Sequence, residues 1–158
     1  MTKLFALTAA ALLASTSAYA GDATKGEKDF KKCKACHTIA NGDEVIFKGG
    51  KTGPNLYGVL GRTAGAAEDF TKYGDDLVAA GAAGLVWTEE LLVEYVKDPK
   101  GFLSAQLDTA AKSKMSFKLK DATDVAAYLA AVGPVLDDMG TDAMPAEDMA
   151  PEDAPKAE

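Results

Sequence analysis

Cys33-Lys34-Ala35-Cys36-His37 holds both cysteines and the single histidine of a 158-residue chain. Two thiols three residues apart on a helical turn can each add to a vinyl group of one haem. A histidine directly after the second stands where its imidazole can meet the iron, so the stretch reads as a c-type haem attachment site. Three other readings compete. A structural zinc site needs four Cys or His ligands, and the chain owns three. A thioredoxin-like redox pair belongs at the strand-to-helix turn of a βαβ unit, whereas the residues before Cys33 have a helical pattern. A plain disulfide, or two chance cysteines, leaves the adjacent histidine unexplained.

On the N-terminal side, Thr24 and Glu27 form a capping-box pattern that opens a helix, with Phe30 and Cys33 three apart and Cys36 and His37 one turn further. Phe30 reads as core, packed against a partner helix. Before it, Met1-Thr2-Lys3, the apolar run Leu4 to Ala14 and Ala18-Tyr19-Ala20 have the form of a cleaved signal peptide, residues 1–20. The run is too short to span a bilayer, so a soluble, periplasmic protein is expected, with an uncleaved anchor as the alternative.

On the C-terminal side, periodicity fails from Thr38 to Phe70 among many glycines, which predicts a long irregular segment. Such a length is unusual in a small domain unless it wraps something, and a flat cofactor is one such thing. Within it Gly53-Pro54-Asn55-Leu56 is a turn signal. The Pro54 carbonyl can take the free ring N–H of His37, although Pro54 also reads as an ordinary loop proline. Asp75 to Ala83 predicts a short helix. Thr88 caps another, with Glu89 and Glu90 in its first turn, Leu91, Leu92, Tyr95 and Val96 along one face, and Asp98-Pro99 as its stop. Trp87, just before it, reads either as core or as a donor to a haem carboxylate. Gly101 to Lys120 reads as loop. Asp121 caps a last helix carrying Val125, Tyr128, Leu129 and Val132, which Gly133-Pro134 ends.

Low-spin iron with His37 on one side needs a second strong-field ligand, and no second histidine exists. Met1 leaves with the signal segment, and Met139, Met144 and Met149 sit in an acidic C-terminal stretch whose composition predicts disorder. Spaced methionines there also suit soft metals such as Cu(I). Elimination leaves Met115 as the second axial ligand.

Charge is uneven along the chain. The formal total is −7; Asp137 to Glu158 carries eight acids against Lys156, a local −7, while residues 21–136 hold 15 bases and 16 acids. Nucleic acid is therefore not an expected partner. Lys25, Lys28, Lys31, Lys32 and Lys34 surround the Cys-His motif, and Lys112, Lys114, Lys118 and Lys120 crowd a later loop. Glu68, Asp69, Asp75 and Asp76 lie between, which predicts a positive face and a negative back. The domain plan is a signal peptide (1–20), one haem domain (21–136) and an acidic tail (137–158).

From Gly26 to Val132 the sequence resembles the class I cytochromes c, most of all the periplasmic bacterial cytochrome c-550 type related to mitochondrial cytochrome c. The resemblance rests on Gly26-Glu27-Lys28-Asp29-Phe30, the Cys-Lys-Ala-Cys-His motif, Lys51 to Gly58, Gly61-Arg62, Trp87-Thr88, Glu94-Tyr95, Lys114 to Phe117 and Ala127-Tyr128-Leu129. It implies an all-α class I cytochrome c fold, a few helices and long loops around one covalently bound haem c, in which the first and last helices cross. It also implies Pro54 carbonyl to His37, Tyr95 and Ser113 near the Met115 sulfur, and Arg62, Tyr73 and Trp87 near the haem propionates. The Arg62–Trp87 spacing and the longer 100–114 segment depart from the mitochondrial pattern, and the acidic tail has no mitochondrial counterpart.

The expected function is that of a monomeric one-electron carrier and not an enzyme, since a six-coordinate iron leaves no position for substrate. The resemblance implies a cytochrome bc1-type complex, terminal oxidases and periplasmic dehydrogenases or reductases as partners, met transiently at membrane complexes through acidic docking patches. A haem enzyme or gas sensor with a displaceable Met115 predicts a five-coordinate spectrum instead. A disulfide oxidoreductase predicts a colourless protein.

Overall fold

Gly26 decides how the two terminal helices meet. In the computed structural model, which describes residues 21–134, α1 (Ala23–Phe30) crosses α5 (Thr123–Val132) with Gly26 pressed on the backbone of Asp124. A Cβ at Gly26 would stand 1.8 Å from the Asp124 carbonyl oxygen, so only glycine allows this approach. Phe30, fully buried, then meets Tyr128 with ring centroids 5.9 Å apart. Outside the crossing, the Asp22 N–H donates to Asp124 Oδ1 at 2.9 Å and the Lys25 ammonium pairs with the same carboxylate. The expected crossing of first and last helices, and Phe30 within it, is what the fold contains. The signal segment and the acidic tail lie outside the described residues.

Helix boundaries differ from the sequence reading in two places. The N-cap of α1 is Asp22, whose side chain accepts the Lys25 N–H at 3.0 Å, and not the Thr24–Glu27 pair. An earlier Asx cap closes the first turn before Thr24 is reached. Helix α5 has Ala122 at its N-cap, while Asp121, one residue earlier, accepts the Thr123 N–H at 3.0 Å. The Cys33–His37 stretch is not a continuation of α1 but a run of tight turns, with Cys33 N–H on the Phe30 carbonyl (2.8 Å) and His37 N–H on the Cys33 carbonyl (3.0 Å).

The segment after His37 is less irregular than expected. It opens with an antiparallel hairpin, β1 (Ile39–Asn41) and β2 (Glu44–Phe47), whose Phe47 stands edge-on to Phe30 at 4.9 Å. Gly42, at φ +57°, allows the tight reversal between the strands. Asn55 binds the following loop to this hairpin: its Oδ1 accepts from Ala40 and Tyr57 N–H, and its Nδ2 donates to the Ala40 carbonyl.

Helix α2 (Asp75–Ala82) forms where expected, and α3 (Glu89–Lys97) starts at Thr88, whose Oγ accepts the Leu91 N–H. The next element corrects the reading of Gly101 onward as loop. Pro99 does end α3, but it also occupies the first turn of a further helix, α4 (Pro99–Gln106), capped by Asp98. Proline suits a first turn because the N–H it lacks has no partner there. Helix α4 buries Leu103 and Phe102, and Phe102 stacks on Trp87 (6.0 Å) and meets Tyr95 edge-on (5.7 Å). The described residues thus form five helices and one two-stranded sheet, and none of the helices is long and apolar enough to cross a membrane.

Candidate functional site

Helices α1, α2, α3 and α5, the Cys-His turn and the loop segments within 52–74 and 112–122 line a cleft of about 360 Å³, mostly with apolar surface. Cys33, Cys36, His37, Pro54, Arg62, Tyr73, Trp87, Tyr95, Ser113 and Met115 all line it. Residues separated by up to 82 positions in sequence, Cys33 and Met115, therefore share one cavity.

His37 is held by a backbone that passes unusually close. Gly50 N–H binds the Lys34 carbonyl and Gly53 N–H binds the Cys36 carbonyl, folding residues 49–54 over the turn. A Cβ at Gly53 would lie 2.4 Å from His37 Cε1. The next residue, Pro54, offers its carbonyl to His37 Nδ1 at 2.8 Å. A carbonyl can only accept, so Nδ1 carries the proton and Nε2 keeps its lone pair. Burial lowers the His37 pKa, with the Pro54 contact partly opposing it, so the ring is neutral at physiological pH.

The two cysteines are free thiols, Cys33 half-buried and Cys36 exposed. Burial pushes the Cys33 thiol up to about 11, the opposite of the acidic thiol that disulfide exchange requires. Among the described residues no three His, Cys, Asp or Glu side chains gather as a metal cage. Both observations count against the redox-pair and zinc readings.

Met115 lies in a tied-down segment. The Ser113 hydroxyl accepts the Met115 N–H at 3.2 Å, donates to the Met115 carbonyl at 3.0 Å, and stands 3.3 Å from the Tyr95 hydroxyl. Tyr95 and Ser113 thus act on the Met115 backbone. Lys114, which the sequence presents as a surface charge, donates from Nζ to the carbonyls of Tyr73 (2.8 Å) and Lys72 (3.2 Å). Lys112 N–H binds Asp76 Oδ2 at 2.6 Å. Asp76 therefore sits beside the lysine loop and not on an opposite, negative back.

Arg62 is the polar counterpart. Its guanidinium donates to the carbonyls of Asn55 (2.9 Å) and Tyr57 (3.4 Å), and among the described residues it forms no ion pair. Burial lowers its pKa from the usual range, the sign of a cation short of solvent. Tyr73 lies close enough to interact with that charge, and its hydroxyl accepts the Ala67 N–H at 3.2 Å. A half-buried cation opening onto an apolar cleft calls for an anionic group within the cleft. A flat apolar macrocycle with two carboxylates, fixed by two thiols and a neutral imidazole, fits this donor set.

Sequence reasoning missed three contributors. Gly53 lies against the face of the imidazole, Asn55 locks the Pro54 loop to the hairpin, and Phe102 backs the Trp87–Tyr95 pair. The Asp98-Pro99 pair, read as a helix start and not only as a stop, would have revealed the last.

No family model matches the chain. Known proteins do. Cytochrome c2 of Rhodobacter capsulatus is 58% identical over 133 residues, covering 82% of this chain and 96% of that protein. Cytochrome c-550 of Paracoccus pantotrophus is 56% identical over 135 residues, covering 82% and 98%. The solved structure of the Rhodobacter capsulatus cytochrome c2 superposes with a TM-score of 0.68 at 59% identity, covering 71% of this chain and 98% of that one.

Proposed function

From the premise that the chain belongs to the cytochrome c2 and c-550 family of class I cytochromes c, electron carriers with one covalently bound c-type haem, we propose that it is a soluble periplasmic shuttle with His/Met-ligated iron. The haem, when bound, supplies one-electron redox chemistry. Everything else falls to the residues of this chain.

Cys33 and Cys36 would hold the group by thioether bonds, and His37 Nε2 and the Met115 sulfur would ligate its iron. The observation that carries this reading is the Pro54 contact, which puts the ring proton on Nδ1 and leaves Nε2 free in the cleft that also receives both thiols and Met115. Arg62, with Tyr73 and Trp87, receives the propionates. Tyr95 and Ser113 keep the Met115 backbone in register. With the iron held by both His37 and Met115, no ligand position would remain for substrate, so the protein would carry electrons and not act as an enzyme.

Donor and acceptor are a cytochrome bc1-type complex, terminal oxidases and periplasmic dehydrogenases or reductases, met by a monomer through the lysines at the cleft mouth. Export is by a signal peptide over residues 1–20. The test is the absorbance spectrum of exported protein beside Met115→Ala. Sharp low-spin reduced bands are expected, with a weak far-red band in the oxidised protein that the variant loses. A high-spin spectrum in the unmutated protein would refute the ligation, and a colourless protein would refute the haem attachment.

A further inference from the structure

The mouth of the cleft has an uneven charge. Lys32, Arg62, Lys72, Lys112 and Lys114 line the cleft and no Asp or Glu does, while just outside the lining Asp29 pairs with Lys32 and Asp76 accepts the Lys112 N–H. Lys72 and Lys112 form no ion pair among the described residues, and Lys34 and Lys51 are exposed beside the Cys-His turn. Residues 21–136 together are near balance, with 15 bases and 16 acids, so with these five cations gathered at the cleft the rest holds 10 bases against 16 acids.

The same chain supplies the complement. Residues 137–158 carry eight acids and one lysine. The chain leaves α5 through Pro134, which packs on Gly58: a Cβ there would lie 3.3 Å from Pro134 Cδ. Gly58 is next to Val59, a residue of the cleft wall. The described chain therefore ends, at Pro134, against the neighbour of a cleft-wall residue. Fully extended, residues 135–158 reach about 80 Å, against a radius of gyration of about 13 Å for a domain of this size, so length does not limit them.

We propose that, in the absence of a redox partner, the acidic C-terminal segment docks on this lysine rim and competes there with acidic partners. The inference rests on the reading that the rim is the docking surface. Exposed ion pairs are individually weak and salt-screened, so the contact is reversible. Tethering compensates, because a linked segment has an effective concentration on the order of millimolar. An incoming partner must displace it, which lowers association at low salt without altering the haem.

The test uses the full-length holoprotein. A zero-length carbodiimide crosslinker at low salt should join acids of 137–158 chiefly to Lys34, Lys51, Lys72 and Lys112, and high salt should abolish the links. A variant with all eight tail acids replaced by their amides should pass an electron from its reduced form to ferricyanide roughly threefold faster or more at low salt, the gap closing as salt rises. Links falling equally on Lys97, Lys100, Lys118 and Lys120, no links, or no rate gain would overturn the proposal. The docking reading is judged separately, by the amide variant alone. If its reaction with an acidic partner protein does not slow with salt, the rim is not the docking surface.

Discussion

A methyl group at position 53 would overlap the His37 ring, 2.4 Å from Cε1 and 2.7 Å from Nδ1. Gly53→Ala should therefore push the imidazole from the Pro54 carbonyl, costing about 1–3 kcal/mol and shifting the reduced-state bands, checked by denaturant titration and absorbance. The turn signal at Gly53-Pro54 and its partner His37 were legible in sequence, because an X-Pro turn and a lone histidine are local features. The closeness of Gly53 to the ring was not, since it depends on how residues 49–54 fold over the Cys-His turn. Lys114 teaches the same lesson. Sequence counts it as free charge, whereas two backbone carbonyls from residues 72 and 73 hold its ammonium.

At the scale of elements, the α1–α5 crossing has two separable supports. Gly26→Ala places a Cβ 1.8 Å from the Asp124 carbonyl, so the helices must part, and a loss of about 2–4 kcal/mol is expected in chemical unfolding. Asp124 is the electrostatic support. Its hydrogen bond from Lys25, then that from the Asp22 N–H, hold its pKa below the ordinary 3.8. A carboxylate with a depressed folded pKa stabilises the fold above its unfolded value, and that contribution disappears as pH falls from about 3.8 through the lowered value. Asp124→Asn should accordingly flatten the fall of the thermal midpoint in that window and leave neutral pH behaviour less stable, both read by calorimetry across pH. Periodicity revealed α3 and α5 because each carries a long apolar stripe. Helix α4 escaped it because Gly101 interrupts the first turn and only Phe102 and Leu103 mark the buried face.

For the whole molecule, the lysines that line the cleft predict a salt-dependent encounter. Replacing Lys32 and Lys72 with Gln should slow reaction with an acidic partner roughly threefold or more at low ionic strength, and high salt should erase the difference, as stopped-flow kinetics would show. Lys114 is a poor choice for such a test, because removing it also loosens the segment bearing Met115. The sequence by itself set the expected chemistry: five adjacent residues read as a covalent haem attachment site, and elimination among five methionines points to Met115. It also determined the helices with strong periodic stripes, since these follow from local pattern. Only the tertiary structure decided that Asp22 caps α1, that a hairpin and α4 exist, and that Arg62 and Tyr73 share the cavity of His37. The physical reason is range. Covalent spacing and helical period act over a few residues, whereas a cavity is set by which distant backbones can approach, and here glycines 26 and 53 set that approach.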